Sequence, residues 1–285
     1  NWTNTNTTIG LGASGSGNIA SFAALNGGST VQNAVITVTP VLGTCTGAQQ
    51  SFTITVNPVP TVNDPADQLL CAGVNTTAVT FTGNSGATTY NWINDNTAIG
   101  LAASGSGNIA SFTATNAGTT QIVATITVTP VLGACTGTEQ VFTVTVNPIP
   151  SFTTTFTDPL TCGAFNGTIT LSGLNPSSSY NLSYSDEGTP VGPLVINTDA
   201  SGDYVITGLN AGGYSNIIVN SGGCNSLPAS VSLSDPSSPV FTISLINNPT
   251  TCGGTDGGIH IEGTGTLAPS TGYTLSYVDN GALVG

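Results

Sequence analysis

Residues 1–22, NWTNTNTTIGLGASGSGNIASF, return almost unchanged as residues 91–112, NWINDNTAIGLAASGSGNIASF. The match continues without a gap as far as Pro60 and Pro150, and 42 of the 60 aligned positions are identical. A fixed period of this length marks tandem domains. Each unit of the array has about 90 residues, which is large enough for a small core of its own.

Four repeats account for the whole sequence. We expect a partial first repeat at 1–60, a complete second repeat at 61–150, a third repeat of another type at 151–238 and a partial fourth repeat at 239–285. The third and fourth repeats belong together because their openings, PSFTTTFTDPLTCG and PVFTISLINNPTTCG, are similar. The first repeat lacks a leading part and the fourth lacks its second half, so we expect the chain to be a segment of a longer protein.

Apolar and Thr residues alternate along two stretches of the second repeat, 124–129 and 142–146, with a Gly-containing turn at 133–137 between them. A period of two residues predicts strands with one buried face, so the two stretches predict a hairpin. Similar short strands recur between clusters of Gly, Asn and Ser, and no helical period is evident. The sequence therefore predicts an all-β fold of tandem immunoglobulin-like antiparallel β-sandwich domains forming an elongated repeat array.

Three aromatic residues are predicted to belong to the structural core of these sandwiches. Trp2 and Trp92 occupy equivalent positions in the first two repeats, where an immunoglobulin-like sandwich usually buries a Trp. Tyr214 follows a turn in the third repeat at a position that suits a tyrosine corner. Between repeats, residues 57–60 and 147–150 read Asn-Pro-x-Pro, and they predict short, semi-rigid connectors because alternating Pro stiffens the chain.

The charge balance excludes several partners and reactions. The 285 residues include 13 Asp and Glu but neither Lys nor Arg, so the formal net charge is −13. Without cations the chain cannot neutralise phosphates, which argues against nucleic acid and anionic membrane surfaces as partners. Lys-dependent phosphate loops and Schiff bases are excluded as well. No apolar run is long enough for membrane insertion.

The six Cys residues allow two pairing schemes besides free thiols. Pairing within repeats gives the bonds Cys71–Cys135 and Cys162–Cys224, with separations of 64 and 62 residues, and leaves Cys45 and Cys252 with partners outside this segment. The alternative scheme crosses the linkers and gives the bonds Cys45–Cys71, Cys135–Cys162 and Cys224–Cys252. We favour the first scheme because its two unpaired residues lie in the two partial repeats. Disulfides imply an oxidising, extracellular compartment.

Catalytic residues are scarce. The only His in the sequence, His260, lies in a strand-like stretch, where a solvated position on a strand face is the simplest interpretation. Residues 105–108 resemble a phosphate-binding loop only in their glycines, because the Lys and the following helix are missing. No nucleophile and base recur with the repeat, so we expect a protein that is not an enzyme and that has no catalytic residues and no cofactor.

Calcium is the one cation that the acidic residues could suit. Carboxylates without a nearby protein cation stay solvated, take up a proton or bind metal, and Ca²⁺ prefers oxygen ligands. The densest acidic groups are Asp186 with Glu187 and Asp199 with Asp203. Neither group matches an EF-hand loop, so Asx turns within hairpins are the simpler interpretation. A metal site is otherwise disfavoured because no Cys-x-x-Cys or Cys/His cluster occurs.

Several motifs together resemble known repeats. In the second repeat, YNW (90–92), IGLAASG (99–105), ITVTP (126–130), CTG (135–137) and FTVTVNP (142–148) resemble the PKD-like, immunoglobulin-like repeats of giant Bacteroidota surface proteins. The stretches TCG and NGTI of the third repeat and TCGGTDGGI of the fourth resemble repeats of the SprB-like gliding-motility adhesins. The resemblance covers essentially the whole chain. It implies type IX secretion and a filament at the cell surface.

We therefore predict a structural and adhesive repeat segment of a very long cell-surface filament protein, which mediates surface adhesion and gliding motility. The predicted partners are an external surface or polysaccharide and other filament chains. One alternative is a carbohydrate-binding or spacer module of a secreted polysaccharide-degrading enzyme, which an exposed aromatic platform would support. The other is a strand-exchanging extracellular filament subunit, whose half-domains complete one another.

Overall fold

The computed structural model describes residues 1–264, 272–279 and 282–284. The secondary structure of these residues consists of strands, apart from two single 3-10 turns, η1 (Thr7–Ile9) and η2 (Thr97–Ile99). None of the helices found in the same residues is long and apolar enough to cross a lipid bilayer. The predicted all-β fold class is confirmed.

The chain forms two compact units. The first unit comprises Asn1–Ser151 together with Ser179–Asn181 and Ile218–Leu227. The second unit comprises Phe152–Ser178, Leu182–Ile217 and Pro228–Gly285. The first unit thus contains the first two repeats and two short stretches of the third.

The first repeat forms a sheet that contains two seven-residue strands. Its strands are β1 (Trp2–Asn4), β2 (Ser14–Gly15), β3 (Gln32–Val38), β4 (Val41–Leu42), β5 (Cys45–Thr46) and β6 (Gln50–Val56). The sheet order is β2-β1-β3-β6 with antiparallel neighbours, and β4 pairs with β5. Ile9, Ala34 and Ile36 are fully buried beneath it.

The second repeat forms a larger sheet in the order β7-β12-β10-β8-β9, with β11 paired to β10. These strands are β7 (Gln68–Cys71), β8 (Thr89–Asn94), β9 (Ser104–Ser106), β10 (Ile122–Leu132), β11 (Cys135–Thr136) and β12 (Gln140–Asn147). The antiparallel β10–β12 pair, which aligns Ile122 with Val146, is the hairpin predicted from the alternating pattern. β7 differs from the other strands of this sheet because it runs parallel to its neighbour β12.

The alternation of residue types along β10 and β12 separates a core face from a solvent face. Ala124, Ile126 and Val128 are fully buried, and the Thr residues between them lie on the half-exposed face. A second layer covers the core: Val79 forms a bridge with Ile109, and Val62 and Phe81 belong to the same buried cluster. The second repeat therefore has the two layers of a sandwich, although hydrogen bonding in its covering layer is sparse.

The leading part of the second repeat determines how well its core is covered. Phe142 of the second repeat is 2% exposed, whereas its equivalent in the first repeat, Phe52, is 49% exposed. Val62 and Phe81, which share the core cluster of Phe142, precede the duplicated 60 residues. The buried cluster of the first repeat contains no equivalent of either residue among those the structure describes. The leading part of the second repeat thus contributes residues that cover Phe142.

The third repeat contains two sheets, of orders β13-β14-β17 and β16-β15-β18-β19, with β20 paired to β18. Its strands are β13 (Thr153–Thr157), β14 (Gly167–Ser172), β15 (Ser179–Asp186), β16 (Thr189–Asn197), β17 (Tyr204–Leu209), β18 (Gly212–Ser221), β19 (Cys224–Asn225) and β20 (Ala229–Leu233). Ile169 and Leu171 of the first sheet and Leu182, Tyr214 and Ile217 of the second are buried. Two sheets that each bury one face form a β-sandwich.

The fourth repeat begins as the third does. β21 (Phe241–Asn247) pairs antiparallel with β22 (Gly258–Gly263), as β13 pairs with β14. β23 (Tyr277–Asp279) and β24 (Ala282–Val284) form a second antiparallel pair. Part of the predicted 239–285 repeat lies outside the described residues.

A glycine allows Trp92 to pack onto the sheet. Trp92 in β8 lies opposite Gly105 in β9, and a Cβ at Gly105 would stand 2.1 Å from the indole Cζ2. Gly105→Ala is therefore expected to destabilise the first unit by about 1–3 kcal/mol, because the buried ring has to move. Urea unfolding followed by Trp fluorescence measures the change. Gly86→Ala is the matched control because nothing lies within 4 Å of a Cβ at Gly86; equal losses in both variants would contradict the prediction.

Candidate functional site: the disulfide-linked junction between repeats

A disulfide bond within the first compact unit joins the second repeat to the third. It links Cys71 to Cys224, whose Cα atoms are 5.6 Å apart although the two residues are separated by 153 positions in sequence. The Cys224 side chain is 1% exposed. The junction between the two repeats is therefore covalent at two points, the linker peptide and this bond.

The parallel pairing of β7 with β12 places Cys71 at the junction. The register aligns Cys71 with Asn147, the last residue of β12 and the first of the Asn-Pro-x-Pro linker. Ala72 continues the pairing, since its N–H donates to the Asn147 carbonyl at 2.9 Å. The end of β7 and the start of the linker thus lie side by side.

A tight hairpin places Cys224 at the same junction. Cys224 lies opposite Ser221, and the turn between them contains Gly222 and Gly223 with φ values of 58° and 84°. The Asn147 side-chain amide donates to the Gly222 carbonyl at 2.8 Å and accepts from the Gln121 side chain at 2.6 Å. Asn147 therefore connects the last strand of the second repeat to the hairpin of the third.

The predicted bonds Cys71–Cys135 and Cys162–Cys224 are wrong, because each pair lies at opposite ends of its repeat. In the second repeat, β10 extends from Ile122, beside the Cys71 end of β12, to Leu132, which lies opposite Cys135. Eleven strand residues span about 35 Å. A disulfide requires Cα atoms within about 7 Å, so the two residues cannot meet.

The same separation holds in the third repeat. The Cys162 thiol contacts the Pro236 carbonyl at 3.6 Å, just beyond the end of β20 that pairs with Gly212. Cys224 lies at the other end of β18, beside Ser221. The alternative bonds across the linkers are not formed either. Cys45, Cys135, Cys162 and Cys252 carry free thiols.

No family model matches the sequence, and no curated protein matches it. Among solved structures, the chain is similar to Sidekick-1 immunoglobulin domains 1–4, with 14% identity, a TM-score of 0.35, and coverage of 74% of this chain and 60% of that one. It is similar to a complex of Dpr2 Ig1–Ig2 with DIP-Theta Ig1–Ig3, with 12% identity, a TM-score of 0.33 and coverage of 74% and 75%. The chain spans 50% of Sidekick-1 immunoglobulin domains 1–5.

These solved structures contain immunoglobulin domains in tandem. The third repeat itself has the two-sheet organisation of an immunoglobulin-like sandwich, with a three-stranded sheet and a five-stranded sheet that each bury one face. The position of Tyr214 agrees with it. Tyr214 is buried near the start of β18, and its hydroxyl donates to the backbone carbonyl and side-chain oxygen of Asn210 at 3.1 and 2.8 Å.

The other predicted core residues differ in burial. Trp92 is buried in the second repeat, whereas Trp2 is half-buried in the first. Burial, followed by the nearby charge of Asp186, raises the pKa of the Tyr214 hydroxyl. That hydroxyl therefore stays protonated and acts as a hydrogen-bond donor.

The structure separates the acidic residues considered for calcium into two turns. Glu187 lies between β15 and β16 with a φ of 46°, and its N–H donates to the Gly213 carbonyl at 3.0 Å. The Asp199 carboxylate accepts the N–H groups of Asp203 and Ser201 at 2.9 and 2.8 Å, and these bonds lower the pKa of Asp199. Within the described part of the chain, no three His, Cys, Asp or Glu side chains gather as metal ligands would.

His260 lies on β22 with an exposed side chain, and its Nε2 atom is 4.0 Å from a Glu262 carboxylate oxygen. The nearest acidic neighbour is thus on the same strand. In the antiparallel register with β21, His260 lies opposite Ser244 and Glu262 opposite Thr242.

Asp67 fastens the parallel strand β7 to β12. Its carboxylate accepts the Thr143 N–H at 2.6 Å, and the backbone and side-chain donors of Thr143 lower the pKa of Asp67 from its ordinary value of 3.8. A lowered folded-state pKa stabilises the protein above pH 3.8, and this contribution is lost as the pH falls through the folded-state value. The strand edge next to the disulfide is therefore sensitive to acid.

Asp67→Asn is expected to flatten the acid side of the stability curve, because Asn keeps an acceptor for Thr143 but does not titrate. Urea midpoints of the first unit are measured at pH 5 and at pH 2.5. The midpoint is expected to fall less in Asp67→Asn than in the parent chain. Asp64→Asn removes the same charge three residues away and serves as the control; an unchanged fall in Asp67→Asn would contradict the prediction.

Proposed function

We propose that the chain is a structural and adhesive segment of a very long filament at the cell surface, which contacts an external surface or polysaccharide. In this proposal the filament reaches its place by type IX secretion and serves gliding motility in a member of the Bacteroidota. In this role the protein is a fibre and not an enzyme.

The observation that carries the proposal is the Cys71–Cys224 bond. A disulfide persists in an oxidising, extracellular compartment. This one bypasses the Pro-containing linker and ties successive repeats together, which supports a role in which the order and spacing of many repeats matter. The sequence resemblance to surface repeats points in the same direction.

The charge supports the same role. The net charge of −13 arises without a single Lys or Arg, so neighbouring chains repel one another and stay solvated.

The outer face of the second-repeat sheet is the surface that we propose for adhesion. Ile93 and Val141 flank Thr127 in adjacent strands, and they are 61% and 50% exposed. Val123 and Leu69 flank Thr145 in the same way on the same face, two rows away, beyond the Thr125–Thr143 pair. A flat face of Thr and aliphatic side chains binds weakly at each copy, and an array of repeats gains by multivalency.

Beads coated with the 285-residue chain test adhesion directly. The expected result is retention on glass, polystyrene or insoluble polysaccharide under flow, with fewer beads retained for the double variant Ile93→Thr, Val141→Thr. Leu160→Thr is the matched control because Leu160 is also exposed, at 75%, but lies in the third repeat. Equal retention of the parent chain, the double variant and uncoated beads would remove this face from the proposal.

Antibody Fab fragments raised against residues 61–238 test the location. They are expected to decorate extended fibres on intact cells and to slow both attachment and movement. Decoration of a secreted polysaccharide-degrading enzyme instead of fibres would establish the spacer alternative. Detection of the protein only inside cells, with no Fab binding at the cell surface, would overturn the proposal.

A further inference from the structure

Two successive junctions in the first unit have the same architecture. At the junction between the second and third repeats, a Cβ at Gly222 would lie 2.7 Å from the side-chain nitrogen of Asn147. At the junction between the first and second repeats, a Cβ at Gly133 would lie 3.0 Å from the side-chain nitrogen of Asn57. Both Asn residues begin an Asn-Pro-x-Pro linker. Each linker Asn thus meets a hairpin Gly of the following repeat.

A Cys follows each hairpin Gly at the same distance. Cys224 comes two residues after Gly222, and Cys135 comes two residues after Gly133. Gly133 and Gly222 have φ values of 60° and 58°. In the strand pairing, Cys135 lies opposite the last residue of β10, and Cys224 lies opposite the last residue of β18. Cys135 therefore faces the first repeat as Cys224 faces the second.

The first Cys of each repeat, which we call the leading Cys, also occupies an equivalent position in the second and third repeats. Cys71 lies beside Asn147, which precedes a Pro. Cys162 lies beside Asp235 and Pro236: the N–H of the next residue, Gly163, donates to the Asp235 carboxylate at 3.2 Å, and the Cys162 thiol contacts the Pro236 carbonyl. In both repeats the leading Cys thus lies where the last strand passes into the linker.

We infer that Cys71–Cys224 is one rung of a disulfide ladder, in which the leading Cys of every repeat bonds to the hairpin Cys of the next. Cys135 then bonds to the leading Cys of the first repeat, in the segment that precedes residue 1 of that repeat. Cys162 bonds to the hairpin Cys of the fourth repeat. The rule leaves one bond within these 285 residues, between Cys71 and Cys224, and assigns the other four thiols to neighbouring repeats. It holds whether or not the filament is adhesive.

Each rung forms by oxidation of two thiols. The two sulfur atoms join, and two protons and two electrons pass to an external disulfide, such as oxidised glutathione or an oxidoreductase disulfide, which is reduced to two thiols. The exposed thiol of Cys162 is accessible to such an exchange. The side-chain amides of Asn57 and Asn147, which lie against Gly133 and Gly222, would hold the two partners of a rung at the junction before the bond forms.

A chain with a completed first repeat tests the inference. A copy of residues 61–90 is joined directly to Asn1, because the same 30 residues precede the equivalent Asn91 in the second repeat. This fusion supplies a copy of Cys71 and is folded in a glutathione redox buffer. Free thiols are alkylated, and peptides are mapped after pepsin digestion, since trypsin has no site in a chain without Lys and Arg.

The expected result is a bond between the added Cys and Cys135, so that alkylation of Cys135 falls from nearly complete to nearly none. The matched control is the same fusion with Ser in place of the added Cys, in which Cys135 is alkylated as in the parent chain. The Cys71–Cys224 peptide is expected in both proteins and reports that the junction has folded. A free Cys135 beside an intact Cys71–Cys224 bond would overturn the ladder.

A second measurement uses the polypeptide at its native length, and it decides the question if the fusion fails to fold. Cys162 is expected in a peptide with a Cys roughly as far downstream as the 153 residues that separate Cys71 from Cys224. Mixed light and heavy nitrogen labelling distinguishes bonds within a chain from bonds between chains. An alkylated Cys162, or a hybrid light and heavy disulfide peptide, would overturn the inference.

Discussion

Cys71→Ser is expected to lower the free energy of unfolding by about 5 kcal/mol, the largest effect of any single substitution considered for this protein. The bond closes a loop of 153 residues, and the chain-entropy cost of an unfolded state grows with the logarithm of the loop length. The full difference in the free energy of unfolding is observed only when both linked repeats are unfolded. Guanidinium unfolding measures this difference. The far-ultraviolet circular dichroism of the parent chain and of the variant is followed until the strand signal is lost completely.

Cys45→Ser is the matched control for this prediction. Cys45 is an exposed free thiol in the first repeat, so its replacement is expected to leave the midpoint within error of the parent chain. Dithiothreitol is expected to lower the parent chain to the stability of Cys71→Ser and to leave the variant unchanged. A variant as stable as the oxidised parent would show that the bond does not restrict the unfolded chain.

Tyr214→Ala is expected to destabilise the third repeat by about 3–5 kcal/mol, because a fully buried aromatic ring leaves a cavity. Tyr214→Phe keeps the ring and removes the hydroxyl, which leaves the Asn210 carbonyl and side-chain oxygen without this donor. The expected loss for that variant is about 1–2 kcal/mol. Hydrogen exchange of peptides from β18 and its neighbours measures both changes within the third repeat.

Tyr277→Phe provides the control for loss of a hydroxyl. Tyr277 is 55% exposed in the fourth repeat. Its replacement is therefore expected to leave hydrogen exchange in the third repeat unchanged. If Tyr214→Phe were as stable as the parent chain, the hydrogen bonds of Tyr214 to Asn210 would contribute nothing to the corner, and only the packing of the ring would remain.

The sequence predicts the fold class because its period-2 pattern is strong where a sheet has one buried face. Along β10, apolar side chains at 124, 126 and 128 alternate with Thr, and the structure buries the first set and half-exposes the second. β7 carries no such pattern: Leu69 is exposed and Leu70 half-buried in a four-residue strand. Its parallel pairing with β12 is accompanied by the Asp67 contact with Thr143, 76 positions away in sequence, which a local pattern cannot indicate.

The disulfide could not be predicted from spacing, because spacing along the chain does not say at which end of a sandwich a residue lies. The separations of 64 and 62 residues suggested one bond in each repeat. The structure places the leading Cys beside the linker and the hairpin Cys at the far end, since β10 and β18 each run the length of the repeat between them. A signal was present in the sequence, however: Gly-x-Cys recurs at 43–45, 133–135 and 222–224, and the first two linkers both begin with Asn-Pro.

The Cys71–Cys224 bond also changes how the chain can lengthen when it is pulled from its ends. Tension enters the bonded pair at Cys71 and leaves at Cys224, so it bypasses the backbone between them. That backbone holds a contour length of about 500 Å, given its 153 residues. While the bond is intact, unfolding of the enclosed strands releases none of this length. A filament made of such segments therefore lengthens by this amount only after a reductant has cleaved the disulfide.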